Sequence, residues 1–336
     1  MPARVAIVGC GLIGHKRADC LDGDELVGCY DLASGAAAAL ATQHGAVACA
    51  TLDELWALRP DLVIVAVSHD RLAELSVAAL EHGAHVLVEK PAGLSAAQID
   101  TIDDAAQTAG RRVKVGFNHR FHPGIHRAIT EARSGVHGDV LHVRGRYGHG
   151  GRIGYDQEWR ADVQRSGGGE IVDQGMHLLD LTHWLLGPLP LHSALLRTQF
   201  WDTEVDDNAA LILGEHDSRT APWALLHVTW TEWKNLFSLE VYCRTAKLHV
   251  EGLARSYGPQ KLRIFKMRPE LGPPDVEEID YPGEDGSWLA EWRHFREAIA
   301  TGTPVLGGLE DARFAWETID AAYAADGYGP VREGVG

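Results

Sequence analysis

Apolar positions in the first third of the chain fall in short continuous runs rather than alternating ones. "RVAIV", "ELVGCY", "PDLVIVAV" and "HVLV" are such runs, and "GAAAALATQHG", "LDELWALR" and "RLAELSVAALEHG" between them carry helical patterns. A strand that is apolar on both faces belongs in a sheet covered on both sides, and strand-helix alternation with short turns predicts a doubly wound parallel α/β sheet. Beyond residue 120 the pattern changes. After a helical "FHPGIHRAITEARSG", the segments "DVLHVRGRYGHG", "LHSALLRTQFW", "DNAALILGE", "PWALLHVTWTEW", "LFSLEVYCR", "AKLHVEG" and "QKLRIFKM" read as strands separated by turn clusters. Their spacing predicts an antiparallel sheet with one face available. "SWLAEWRHFREAIATG" and "GLEDARFAWETIDAAYAA" read as two amphipathic helices, expected to pack back toward the first domain. The expected organisation is therefore two domains, residues 1–120 and 121–336.

The first strand runs straight into "GCGLIG", where Gly9, Gly11 and Gly14 have G-x-G-x-x-G spacing. Glycines at these positions allow a tight turn, close approach of backbone to a pyrophosphate, and close packing of helix on strand. The second strand ends in Asp31, twenty residues after Gly11, where a dinucleotide fold places the acid that accepts hydrogen bonds from the adenosine ribose. A carboxylate there repels a 2′-phosphate, and no arginine follows it in "DLASGAA", so NAD is favoured over NADP. Ser68, His69, Glu89 and Lys90 all fall at strand ends, the side of such a sheet where ligands bind. Pro91 immediately after Lys90 restricts the backbone that carries the lysine.

A second constellation lies in "SGGGEIVDQGMHLLD". Past three glycines, Asp173, His177 and Asp180 recur at i, i+4 and i+7, which predicts one polar face on an otherwise apolar helix. An imidazole titrates near neutral pH, as a general base that works there must. His177 is the candidate base, Asp173 orients it or holds a substrate hydroxyl, and Asp180 belongs to a supporting hydrogen-bond network. Asp173 and His177 offer two metal ligands without a third at a characteristic spacing, so no metal is expected.

With "GCGLIG", "VEKP", "VGFNHRFHP" and "GGGEIVDQGMHLLD" in this order, the chain resembles the Gfo/Idh/MocA family of NAD(P)-dependent sugar and cyclitol oxidoreductases. The resemblance implies a Rossmann domain followed by an α/β domain with a large, mostly antiparallel sheet, and an active site between them. It implies a nicotinamide pocket formed by Gly9, Gly11, Leu12, Ile13, Gly14, Asp31, Ser68, His69, Glu89, Lys90 and Asn118. It also implies a catalytic set of Lys90, Asp173 and His177, in which Lys90 stabilises the developing alkoxide or exchanges the role of base with His177. The chain departs from the family pattern at "VSHDRL", where Val67 and Ser68 stand for Thr and Pro and Leu72 for a common histidine. A homo-oligomer, dimer or tetramer, built on the open sheet face is likewise implied. Trp223, Trp230 and Trp233 suit that face, and a plain core accounts for them equally well.

Composition narrows the partners. A net charge of −16 disfavours nucleic-acid and acidic-membrane surfaces. No apolar run approaches the roughly 20 residues of a membrane span, and the first residues enter a strand directly, so the cytoplasm is the expected location. Five cysteines without a C-x-x-C pair indicate reduced thiols. In this acidic chain the stretch "RGRYGHGGRIGYDQEWRADVQR" stands out as basic, aromatic and glycine-rich. Arg152, Tyr155, Trp159 and Arg160 are the candidate substrate contacts, with an aromatic ring against a sugar face and an arginine on a phosphate or carboxylate. The alternative is that these arginines pair with Asp156, Glu158 and Asp162. The expected activity is hydride transfer between NAD and a secondary hydroxyl of a sugar, nucleotide sugar or cyclitol. Its rivals are a glycosidase that retains NAD for transient oxidation and a dinucleotide-binding sensor without turnover.

Overall fold

The computed structural model describes residues 2–270 and 272–329, which divide into two compact units. Among these residues the first unit holds 2–118 and 288–313, and the second holds 119–270, 272–287 and 314–329.

In the first unit, strands β1 (Arg4–Val8), β2 (Glu25–Tyr30), β3 (Val47–Ala48), β4 (Leu62–Val65), β5 (His85–Val88) and β6 (Val113–Val115) form one parallel sheet. Their order is β3-β2-β1-β4-β5-β6, so the winding reverses between β1 and β4. Ligands of such sheets bind outside the carboxyl ends of the strands at that reversal. The continuous apolar runs are explained by burial on both faces: Val5, Ile7, Val63, Ile64 and Leu87 have no accessible surface. Trp292 and Phe295 of the helix Ser287–Thr301 belong to the same core as β1 and the helix Ser34–His44. The Trp292 indole N–H also donates to the Leu21 carbonyl at 3.0 Å.

The second unit is built on β7 (Val140–Gly148), β8 (Leu191–Arg197), β9 (Asn208–Leu213), β10 (Trp223–Thr229), β11 (Leu236–Cys243), β12 (Ala246–Glu251), β13 (Gln260–Lys266) and β14 (Asp275–Tyr281). They pair in the order β14-β13-β12-β11-β7-β10-β9-β8. Only β7 and β10 run parallel among the described pairs; the rest are antiparallel. The helix Met176–Leu186 packs on β7 so closely that a Cβ at Gly145 would come within 3.2 Å of the Leu178 side chain. β14, "DVEEIDY", has no apolar pattern to announce it. Its acids are matched instead by the cations of β13, with Glu277 on Lys266 and Glu278 on Lys261 and Arg263.

Candidate active site

In the first unit, the glycine turn separates what the chain needs from what a ligand needs. Gly9 has φ +97°, and a Cβ there would lie 2.3 Å from the Ala66 carbonyl oxygen at the end of β4. A Cβ at Gly14 would lie 2.1 Å from the Gly9 carbonyl oxygen, so the helix Leu12–Ala18 can seat on the turn only with glycine there. Gly11 is different: a Cβ would meet nothing within 4 Å. Its missing side chain leaves open space above the turn, the cradle that backbone approach to a pyrophosphate requires. Leu12 beside it is 74% exposed, and Ile13 is half-buried.

Asp31 holds this turn directly. Its Oδ2 accepts from the Cys10 N–H at 2.7 Å and its Oδ1 from the Ala33 N–H at 2.8 Å. Ser68 occupies the N-cap position of the helix His69–Glu81 without capping it through its side chain, and His69 is buried. Asn118 is buried where the first unit ends.

Glu89, expected at the nicotinamide, turns its carboxylate to the glycine-motif helix, where Arg17 Nε donates to it at 2.6 Å. Arg17 also binds Glu291 at 2.6 Å, and Glu291 binds Lys114 at 3.0 Å. Burial pushes the Glu89 carboxyl up despite Arg17. Burial opposes the Arg17 charge as well, yet Glu89 and Glu291 hold its pKa above the usual value. Gly116 leaves room for the pair, since a Cβ there would lie 2.7 Å from Glu89 Oε2. Lys90 follows, half-buried, with a cis peptide bond to Pro91.

In the second unit, the glycine run makes space for a buried aspartate. A Cβ at Gly169 would lie 1.9 Å from the Asp206 carbonyl oxygen, and one at Gly168 2.3 Å from the Tyr323 hydroxyl. The Asp206 carboxylate accepts from the Gly169 N–H at 3.0 Å, the Ile171 N–H at 2.9 Å and the Tyr323 hydroxyl at 2.6 Å. It thus satisfies the first turn of the helix from another segment, as a local N-cap would.

The helix that follows is not a single α-helix. Ile171–Gly175 form one π-helical turn before the α-helix Met176–Leu186. The wider i→i+5 turn changes the angular step between Asp173 and the α-helix that carries His177 and Asp180, and the three side chains meet different partners. Asp173 lies 3.3 Å from Arg160 Nε. The His177 ring stacks on that of His119, with centroids 3.8 Å apart and planes 24° apart. Asp180, fully buried, accepts from Arg120 Nε at 2.9 and 3.0 Å and from Nη2 at 2.6 Å.

Three phenols surround this region. Tyr147 lies 5.2 Å from the His119 ring and 6.2 Å from the His177 ring. Burial pushes the pKa of Tyr147, Tyr155 and Tyr257 well above the usual value, and the nearby acids Asp173 and Glu170 add to it. These phenols keep their protons at neutral pH.

The basic loop is largely paired within the chain. Arg152 lies 2.5 Å from Glu158, and Arg160 lies 3.9 Å from Glu158 besides its contact to Asp173. Burial opposes the Arg160 charge, while Asp173, Tyr155 and Glu158 raise its pKa. Arg160 also sits 4.5 Å over the Trp159 ring. Tyr155, a candidate sugar contact, is buried. Its ring packs against Trp201 and Trp230, and its hydroxyl lies 3.5 Å from His149 Nε2. Trp230 is likewise core, whereas Trp223 and Trp233 are 39% and 63% exposed.

The fold brings His149 and Glu170 to Asp173, with one potential ligand atom of each within 4.8 Å of the others. Metal ligation fits this group poorly. His149 Nδ1 accepts from the Gly151 N–H at 2.9 Å, which puts the proton on Nε2, and Arg160 already supplies a positive charge to Asp173. His119, Arg120, Tyr147, His149, Glu170 and Asp206 were not singled out from sequence. His119 and Arg120 stand in the "NHRFHP" stretch, which offers a signal; the others become neighbours only through the sheet.

Two family models match the chain: an oxidoreductase family with an NAD-binding Rossmann fold, GFO_IDH_MocA, over residues 3–117, and the GFO/IDH/MocA C-terminal domain over residues 126–249. D-glucoside 3-dehydrogenase of Escherichia coli (strain K12) is 31% identical over 195 residues, 55% of this chain and 54% of that protein. Inositol 2-dehydrogenase of Salmonella typhimurium (strain LT2) is 30% identical over 195 residues, 55% of each. The chain thus spans about half the length of the curated relatives it matches. A solved structure of levoglucosan dehydrogenase in complex with NADH and levoglucosan shares the fold, with TM-score 0.86, 18% identity and coverage of 97% of this chain and 98% of that one.

Proposed function

Because this chain belongs to the Gfo/Idh/MocA oxidoreductases, with an NAD-binding Rossmann fold in its first unit, we propose that it transfers hydride between NAD and a hydroxyl-bearing ring carbon. The substrate class is a sugar, nucleotide sugar or cyclitol, oxidised at a secondary hydroxyl or reduced at the corresponding ketone. The relatives named above act, by their names, on a glucoside, an inositol and levoglucosan, all polyhydroxylated rings. The observation that carries the reading is the buried His177 imidazole on a glycine-gated helix, among phenols that hold their protons.

Bound nicotinamide supplies the two-electron acceptor. His177 takes the hydroxyl proton as the carbon is oxidised, and Asp173, with Arg160 beside it, holds a neighbouring hydroxyl. Lys90 is assigned the complementary role of stabilising the alkoxide as it forms. Asp31 and the open backbone at Gly11 hold the adenosine ribose and pyrophosphate.

The test is NADH formation with purified protein, NAD and a panel of free sugars, inositols, sugar acids and nucleotide sugars, repeated in reverse with keto forms. NADH accumulation with one class establishes the dehydrogenase. Release of a cleaved sugar without net NADH points to a hydrolase that retains NAD, and tight NAD binding without turnover on any member points to a sensor.

The Asp31→Ala variant is expected to weaken NAD binding and to narrow the preference for NAD over NADP. Because Asp31 also holds the Cys10 N–H, both cofactors lose affinity and NAD loses more. Titration of the variant with each dinucleotide checks this, and an unchanged NAD/NADP ratio removes the assignment.

A homo-oligomer on the second sheet fits the half-exposed aromatic ladder in which Trp223 stacks on His142 at 4.9 Å and His142 on Tyr242 at 4.1 Å. Light scattering is expected to give a dimer or tetramer, and the Trp223→Glu variant a smaller species. A monomeric wild type overturns it. Among the described residues no helix is long and apolar enough to cross a membrane.

A further inference from the structure

We infer that His119 is a positioning residue for His177: it fixes the plane of the imidazole that takes the substrate proton. The inference rests on the reading of His177 as the base. A histidine side chain can rotate about its last torsion, and an imidazole that rotates spends part of its time with neither nitrogen on the hydroxyl it serves. A flat neighbour at van der Waals distance removes that freedom. His119 is such a neighbour, with ring centroids 3.8 Å apart and planes 24° apart, and both residues are more than nine-tenths buried.

What makes His119 a fixed surface is the residue beside it. His119 lies in the one-turn helix Asn118–Phe121, and Arg120 of that turn makes the three-contact pair with Asp180. Asp180 is three residues beyond His177 on the same helix, hence on the same side. The turn is therefore fastened to the catalytic helix next to the ring stack. Arg120 is further held 5.3 Å over the Trp184 ring, one turn beyond Asp180. Around the stack, Tyr147 lies 5.2 Å from His119, His122 5.5 Å and Phe237 5.8 Å, so the His119 ring is itself enclosed. Fork-shaped pairing of guanidinium and carboxylate is directional, so it sets an orientation as well as a distance.

The experiment compares His119→Leu, which keeps apolar volume without a flat ring, with His119→Phe, which keeps the flat ring without nitrogen. The substrate is the best member of the panel above. His119→Leu is expected to lower kcat about tenfold, while KM and the NAD dissociation constant stay within about twofold; His119→Phe is expected to recover kcat to within about threefold of wild type. A purely structural loss would move all three quantities and would not be recovered by Phe. Wild-type kcat in His119→Leu overturns the inference. A His119→Phe variant as slow as His119→Leu also overturns it, because the imidazole nitrogen rather than the ring plane would then be needed. Turnover that survives His177→Ala refutes the assignment of the base instead, and so separates the two failures.

Discussion

The His177→Ala variant is expected to lose two or more orders of magnitude in kcat while binding NAD as the wild type does. Proton transfer by a positioned side chain contributes about 10²- to 10⁴-fold. Tyr147, Tyr155 and Tyr257 hold their protons through burial, and Asp173 is charge-paired with Arg160. NAD binding is spared because the glycine turn and Asp31 belong to the first unit, whereas His177 belongs to the second. Lys90→Ala is expected to show a loss of the same order, through the alkoxide it stabilises. Steady-state rates with dinucleotide titration check both variants. Near-normal rates in both would remove the mechanism.

The second large effect is on stability. Glu291→Gln is expected to destabilise the first unit by about 3–5 kcal/mol, the cost of removing one partner from a buried ion pair. Glu291 has no accessible surface and neutralises two cations, Arg17 and Lys114, which are 2% and 0% exposed. Glu89 still serves Arg17 in the variant, so the larger part of the loss falls on Lys114. Combining Glu291→Gln with Lys114→Met is expected to recover part of the stability, because the uncompensated charge is then gone. Urea unfolding followed by tryptophan fluorescence measures both. Equal stability of Glu291→Gln and wild type would show that water or relaxation satisfies the cations. NAD affinity is expected to fall as well, since Arg17 belongs to the helix that opens at the glycine turn.

Legibility from sequence differs between the two sheets. The parallel sheet announces itself because burial on both faces leaves unbroken apolar runs, as in Val5–Val8 and Leu62–Val65. Seven of the second sheet's strands carry enough apolar character to be read, but β14 does not. Its surface is acidic, and only the cations of β13 across the register make it a strand. The glycine turn was readable because its sterics are local, within one turn and the neighbouring strand end. Glu89 was placed at the cofactor by its position after a strand, and its carboxylate faces Arg17 because a buried cation on the neighbouring helix requires a counter-charge.

By itself, then, the sequence determined the two-part organisation, the dinucleotide turn, and an acid and imidazole behind a glycine-rich start. These depend on periodicity and short-range sterics, which neighbouring residues express along the chain. Only the tertiary structure decided that the helix opens with a π-helical turn, that Asp180 supports Arg120, and that His177 lies flat on His119. Those outcomes depend on which segments the sheet brings together, over separations such as the 60 residues between Arg120 and Asp180. The buried Asp206 beneath the glycines is the clearest case: the glycines show that something passes close, and only the fold says what.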